Sequence, residues 1–245
     1  MTVTDSYATS RHSLQLVATH VLARARKTAT GRFGLRVTPG GFGTPEFGDD
    51  VRRVRVRDGL LVIESAGSAG ASSTAIAIDG ATLEELCEAA GVDLAAPFEA
   101  GHDTPVLPKA GTPLSVAAQD ATLLGEWFGL VAAALDSTLA GIAADCRPTV
   151  AQLWPEHFDV AFDTGYGVNP SPARRVNVGG SPGDASNTGP YLYLGPWTGD
   201  RPGEPAFWNV GFGAMMTYES VHATGDPLGC AVEFFRSGLA LLAAG

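Results

Sequence analysis

The chain has 245 residues, 45% of them apolar and 17% charged, and a formal net charge of -10. That length and apolar fraction supply a buried core for one large or two small domains. With no glycine period, sustained heptads or charge-rich, apolar-poor composition, collagen-like, coiled-coil and disordered chains are excluded, and the acidic balance excludes a general nucleic-acid binder, which needs clustered Lys and Arg.

The charge is uneven. Residues 1–57 hold ten basic and four acidic groups, whereas 58–245 hold six and twenty-two. No continuous apolar stretch ending in a small-residue cleavage site is seen near the start, so a secretory signal is not expected. The most apolar stretches, at 130–135 and 239–244, are too short for a membrane span, and no membrane association is expected. Three dispersed cysteines, Cys87, Cys146 and Cys230, with no CxxC pair, argue against a disulfide framework or a thiolate zinc site. A cytoplasmic address follows as the expectation.

Between His12 and Lys27 the apolar positions recur at three and four, which predicts a first helix ended at Thr30-Gly31. Phe33, Leu35 and Val37 alternate as a strand and run into a loop from Thr38 to Pro45, whose glycines lack the Lys-Ser or Lys-Thr and helix of a phosphate-binding loop. Val54 and Val56 alternate with Arg53, Arg55 and Arg57, and Asp58-Gly59 then leads to Leu60-Leu61-Val62-Ile63. This predicts a hairpin with a type I′ turn. Its three arginines read as protection of an edge strand more than as an anion-binding patch or partner surface, and contact with the acidic remainder of the fold is expected to balance the basic excess.

A small-residue loop and a short strand at 75–78 precede Thr82-Leu83-Glu84-Glu85, a capping box whose helix Gly91 closes. Residues 97–113, with four prolines and two glycines, read as a linker. The longest helix is predicted at 123–142, with Leu124, Phe128, Val131, Leu135 and Leu139 on one stripe. Short strands follow at 150–154, 158–162, 175–178, 191–194 and 207–218, and Asp226-Pro227 starts a final helix. Hairpin-linked strands with helices at the segment ends predict an α+β class of antiparallel sheet packed with helices. The whole is read as a single domain over 1–245, with possible pseudo-duplicated halves at 1–96 and 114–245.

Chemistry concentrates between Gln152 and Asn209. In a strand, Phe158, Val160 and Phe162 would face the core, with His157, Asp159 and Asp163 opposite and the first two about 7 Å apart. The loop at 177–184 could bring Ser181 and Asp184 beside that face, and Tyr191, Tyr193 and Trp197 share one parity of the next strand, as a pocket wall would require. Three sharp readings are open. His157, Asp159 and Asp184 could hold a metal, although the spacing specificity of a motif such as HExxH is lacking. Ser181 could be a nucleophile with His157 and Asp159, but Pro182 removes a backbone donor often used for the oxyanion. His157 and Asp159 could do general acid-base work. The plainer reading, which carries more weight, is that these side chains satisfy loop backbones and one another. His12, His20, His102 and His222 are read as surface or loop residues, and Cys87 and Cys230 as core.

At Trp154 and Phe158-Asp159 a resemblance becomes visible. Leu14-Gln15-Leu16 with Arg24, Gly34-Leu35 with Thr38-Pro39, the hairpin from Arg53 to Ser65, Tyr191 to Tyr193, Phe207-Trp208, Gly213, Tyr218-Glu219, Asp226-Pro227 and Phe235 complete it. In order and spacing the chain resembles a remote member of a bacterial family common in actinobacteria and defined only as a domain of unknown function. That resemblance implies no activity. It does imply that Phe158-Asp159 belongs to the shared pattern while Glu156-His157 does not, which favours Asp159, Trp208 and Glu219 over His157 for a common role. The functional expectation is a small-molecule binding or accessory protein with a polar-aromatic groove formed by Trp154, His157, Asp159, Asp184, Tyr191, Tyr193, Trp197 and Trp208. The alternatives are a hydrolase or isomerase using His157 and Asp159, and an interaction module; no cofactor is called for.

Overall fold

The computed structural model describes residues 3–67, 70–101, 103–168 and 170–245, so His102 lies outside the described residues. The first helical rod begins earlier than its apolar pattern suggests. It comprises α1 (Tyr7–Val17), a π-helical stretch (Ala18–Ala23) and α2 (Arg24–Thr30), and it ends where Gly31 takes φ of 73°, the left-handed conformation that terminates helices. Asp120, buried at the start of a later helix, ties down its N-terminus by accepting from the hydroxyls of Thr4, Ser6 and Ser10 at 2.6, 2.7 and 2.8 Å.

Five strands follow as an antiparallel meander: β1 (Arg36–Thr38), β2 (Gly41–Gly43), β3 (Arg53–Arg57), β4 (Leu60–Gly67) and β5 (Gly70–Ala77), in that order across the sheet. The Asp58-Gly59 turn forms as expected, both residues having positive φ (51° and 77°). Two segments read as loop are strands. β2 pairs so closely with β3 that a Cβ on Gly41 would lie 2.4 Å from the Val56 carbonyl oxygen, a gap only glycine fits. β5 extends the predicted short strand at its N-terminal side, with Ser72 and Ser73 opposite Ser65 and Glu64.

The arginine face also needs correction. β3 is the middle strand of five, with β2 and β4 on either side, so Arg53, Arg55 and Arg57 protect no edge. Arg55 instead makes a two-pronged contact to Glu64 (3.0 and 2.9 Å), and Arg53 pairs with Glu46. Part of the basic excess is thereby neutralised within the sheet that carries it.

The capping box is present in full on α3 (Leu83–Ala89), and α4 (Ala118–Leu139) is the longest helix. A second antiparallel sheet has the order β10-β9-β8-β7-β6. Its strands are β6 (Gln152–Trp154), β7 (Asp159–Gly165), β8 (Arg175–Ser181), β9 (Tyr191–Pro196) and β10 (Ala214–Thr217). Of the strand expected at 207–218 only the last part forms, and it leads into α5 (Tyr218–His222). Asp226 caps α6 (Pro227–Ala244) through the Gly229 amide at 3.0 Å, with Pro227 in its first turn. This helix meets the length and mean hydropathy (1.3) of a membrane span, contrary to the expectation from the sequence. Its buried residues Ala231, Phe234, Phe235, Gly238 and Leu242 form a stripe, as in a helix packed along one face, with Gly238 against Leu194.

Two antiparallel sheets with helices make the fold α+β. The chain divides into two compact units, Met1–Gly129 with Leu153–Phe158, and Leu130–Gln152 with Asp159–Gly245. The division therefore falls within α4, and residues 97–113 belong to the first unit instead of linking two halves. In that unit Phe42, Phe128 and Phe158 meet edge to face with centroids 5.3 to 6.0 Å apart, the geometry aromatic quadrupoles prefer. In the second unit the apolar face of the sheet is buried through Val160, Phe162, Val178, Leu192 and Leu194.

Candidate functional site

The opposite face of the second sheet carries most of the polar and aromatic residues singled out from the sequence. Register sets Gly179 beside both Ala161 and Tyr193, and Ser181 beside Tyr191, so the side chains of Asp159, Ser181, Tyr191 and Tyr193 share that face. The Tyr193 hydroxyl donates to the buried Asp159 carboxylate, and Tyr191 donates to Asp184 at 2.5 Å. The two rings lie 6.2 Å apart. Gly179 makes this possible, because a Cβ there would stand 2.8 Å from the Tyr193 ring and 2.7 Å from the Val160 carbonyl oxygen.

Asp184 also accepts the amides of Ser186 and Asn187 (2.6 and 2.9 Å), and Ser181 accepts that of Gly183. Burial, followed by the neighbouring carboxylates, raises the pKa of both phenols well above the ordinary tyrosine value. They are proton donors at neutral pH, and phenolate chemistry is disfavoured. At the other end of the face Trp197, 57% exposed, donates its indole N–H to Asn177 at 2.9 Å. The Arg175 guanidinium stacks 5.8 Å from the Trp197 ring and pairs with Asp163.

The remaining predicted members sit elsewhere. β7 begins only at Asp159, after a turn in which Phe158 has φ of 57°. That break removes His157 from the strand alternation that would have given it the face of Asp159. His157 is exposed, with Nδ1 3.5 Å from the Asp103 carboxylate. Trp154 meets Phe33 edge to face, Trp208 donates to the Pro202 carbonyl under the Arg201 guanidinium, and Glu219 is exposed in the first turn of α5. Among the described residues no group of three or more His, Cys, Asp or Glu is placed to hold a metal ion.

A second constellation, which sequence reading missed, lies in the first unit. The π-helical stretch carries His20, read from the sequence as a surface or loop residue, and α2 opens with Arg24; both are buried, at 3% and 4% exposure. Widened turns of this kind concentrate at functional sites. His20 bonds through Nε2 to the Pro105 carbonyl at 2.8 Å. Since a carbonyl only accepts, Nε2 carries the proton and Nδ1, which has no partner, is a bare acceptor. Burial lowers the imidazole pKa, the Pro105 bond opposes this, and the Arg24 charge lowers it further; the ring is neutral at pH 7. Cys87 approaches the His20 carbonyl at 3.5 Å, and burial pushes its thiol up to about 11 despite nearby Arg24.

Arg24 donates to the carbonyls of Asp93 and Ala96 (3.1 and 2.5 Å) and lies 4.6 Å from the Phe98 ring centroid. Its buried Nε has no acceptor. It stands on the wall of a cavity of about 970 Å³, shared with Lys27, Phe47, Arg52, Asp93 and Phe98. The signal available in the sequence was the helix itself: Leu16, Val17, Val21 and Leu22 leave little of its circumference polar, as in a helix buried all round. The second unit has a groove of about 720 Å³ lined by Phe207, Met215, Met216, Cys230 and Phe234.

Comparison with family models, curated proteins and solved structures finds no match, so function rests on the geometry of the chain itself.

Proposed function

We propose that this chain is a cytoplasmic small-molecule binding protein whose ligand occupies the cavity beside Arg24. The observation that carries this reading is a buried arginine, held only by neutral carbonyls and a ring face, on the wall of a cavity as large as ligand sites generally are, ~300 to 1,000 Å³. A buried charge without a counter-charge is costly, and an anionic or strongly accepting ligand beside it relieves that cost. Binding is favoured over covalent catalysis because the thiol near Arg24, Cys87, is held neutral. The tyrosine-carboxylate face of the second sheet reads on this view as a lock on three strands. Its hydroxyls and carboxylates are committed to one another.

The test is native mass spectrometry of the purified chain, with thermal melting against a metabolite panel, repeated on Ala96→Trp, which fills the cavity. A retained mass or a melting shift that disappears in the variant is expected; saturation at a hundred times Kd corresponds to about 2.7 kcal/mol. A response unchanged in Ala96→Trp, or none in either protein, overturns the proposal.

A further inference from the structure

We infer that the ligand of this cavity is an organic oxyanion, a carboxylate or phosphate ester, with its charge against Arg24 and its apolar body against Phe98. The inference rests on the binding reading above and adds the chemical class. Arg24, Lys27 and Arg52 all line the cavity. Each donates to main-chain carbonyls: Arg24 to Asp93 and Ala96, Lys27 to Glu99, Arg52 to Ala90. Among the described residues none of the three is in an ion pair. Carbonyl dipoles orient these cations without cancelling their charge.

Asp93 and Glu99 share the wall but are exposed, and Asp93 accepts the Ala95 amide at 2.9 Å. Arg24 is different from the other two cations, which are half-buried, since at 4% exposure water cannot compensate it. A buried cation whose hydrogen-bond partners are neutral carbonyls selects a charged acceptor, which gives shorter and stronger hydrogen bonds than a neutral one. Phe98, 4.6 Å from the Arg24 guanidinium and 5.4 Å from Lys27 Nζ, holds both cations by its ring face. With Phe47 it supplies apolar wall. A cationic ligand would meet three like charges.

Titration calorimetry on the full chain with benzoate, inorganic phosphate, benzylamine and benzyl alcohol tests this. Binding of benzoate or phosphate, absent for benzylamine and weakened by salt, is expected; benzoate alone assigns a carboxylate and phosphate alone a phosphate ester. Arg24→Gln should weaken that binding by ~30-fold or more, as for a buried charge stripped of its partner. Lys27→Gln and Arg52→Gln, at half-buried positions, should each weaken it by up to about fivefold, and they report on the charge if Arg24→Gln fails to fold. If benzylamine or benzyl alcohol binds as tightly as the anions, and Ala96→Trp abolishes it, the oxyanion assignment fails while the cavity remains a binding site. Silence of all four probes overturns the assignment, and the metabolite panel then decides the binding reading separately.

Discussion

Two buried side chains decide how stability responds to pH and to substitution. His20 has its folded-state pKa lowered by burial, so the unfolded chain takes up a proton first as pH falls. The stability linked to this residue is complete above pH ~6.5, the ordinary imidazole value, and drains as pH drops toward the folded-state value, at no more than about 1.4 kcal/mol per pH unit. Melting temperature is expected to decline between pH 7 and 5.5 more steeply in the natural chain than in His20→Gln; parallel declines would contradict this. Tyr193 offers a second check. Removing its hydroxyl by Tyr193→Phe deprives the buried Asp159 carboxylate of a donor and should cost ~1 to 3 kcal/mol in denaturant unfolding. Gly179→Ala should cost a similar ~1 to 3 kcal/mol through overpacking, because its new methyl group would press on the same ring. Were both variants as stable as the parent, the tyrosine-carboxylate contacts would not be what locks these strands.

Secondary-structure elements were legible wherever the signal was local. Asp58-Gly59, the Thr82 to Glu85 box and Asp226-Pro227 each specify a backbone conformation within two to four residues, and each is found in place. What was missed depends on partners distant in sequence. Gly41-Phe42-Gly43 is a strand because β3 approaches it too closely for side chains, and Gly70–Ala77 has no apolar alternation. The π-helical turn leaves no mark in a three-and-four pattern. Sheet edges follow from the same pairing. β1 and β6 are only three residues long, and on β10 the Asn209 side-chain amide takes both the N–H and the carbonyl of Met215 at 2.9 Å. β5 has none of these defences: eight residues without charge or proline, nearly all exposed. Such an edge templates association. Ser73→Lys, opposite Glu64 in the register, should slow heat-induced light scattering while shifting stability by less than ~0.5 kcal/mol, as usual for a surface substitution. Unchanged scattering would place the sticky surface elsewhere.

Across the whole molecule the charge asymmetry of the sequence does not survive folding. The first unit holds eleven basic and sixteen acidic groups and the second five and ten, so each is at -5. The first 57 residues are one part of a unit that also takes acidic groups from further along the chain. The same interleaving hid the cavity, whose wall draws Arg24, Arg52 and Phe98 from three separated segments and whose cations are held by backbone carbonyls that side-chain patterns do not display. The polar-aromatic face was legible because the two-residue strand repeat alone sets its parity. Interleaving also makes the first unit depend on chain beyond its main segment. Leu153 exchanges both backbone bonds with Leu35 (2.8 and 2.9 Å), the carbonyls of Pro155 and Glu156 accept from Thr19 and Gln15, and the Phe158 ring packs against Phe42 and Phe128. A fragment ending at Gly129 loses all of these and should show no cooperative melting by circular dichroism. Phe158→Ala in the full chain isolates the ring and should cost ~3 to 5 kcal/mol, as for a large buried aromatic. A cooperative transition in the fragment close to that of the full chain would mean that the first unit folds without residues 153–158.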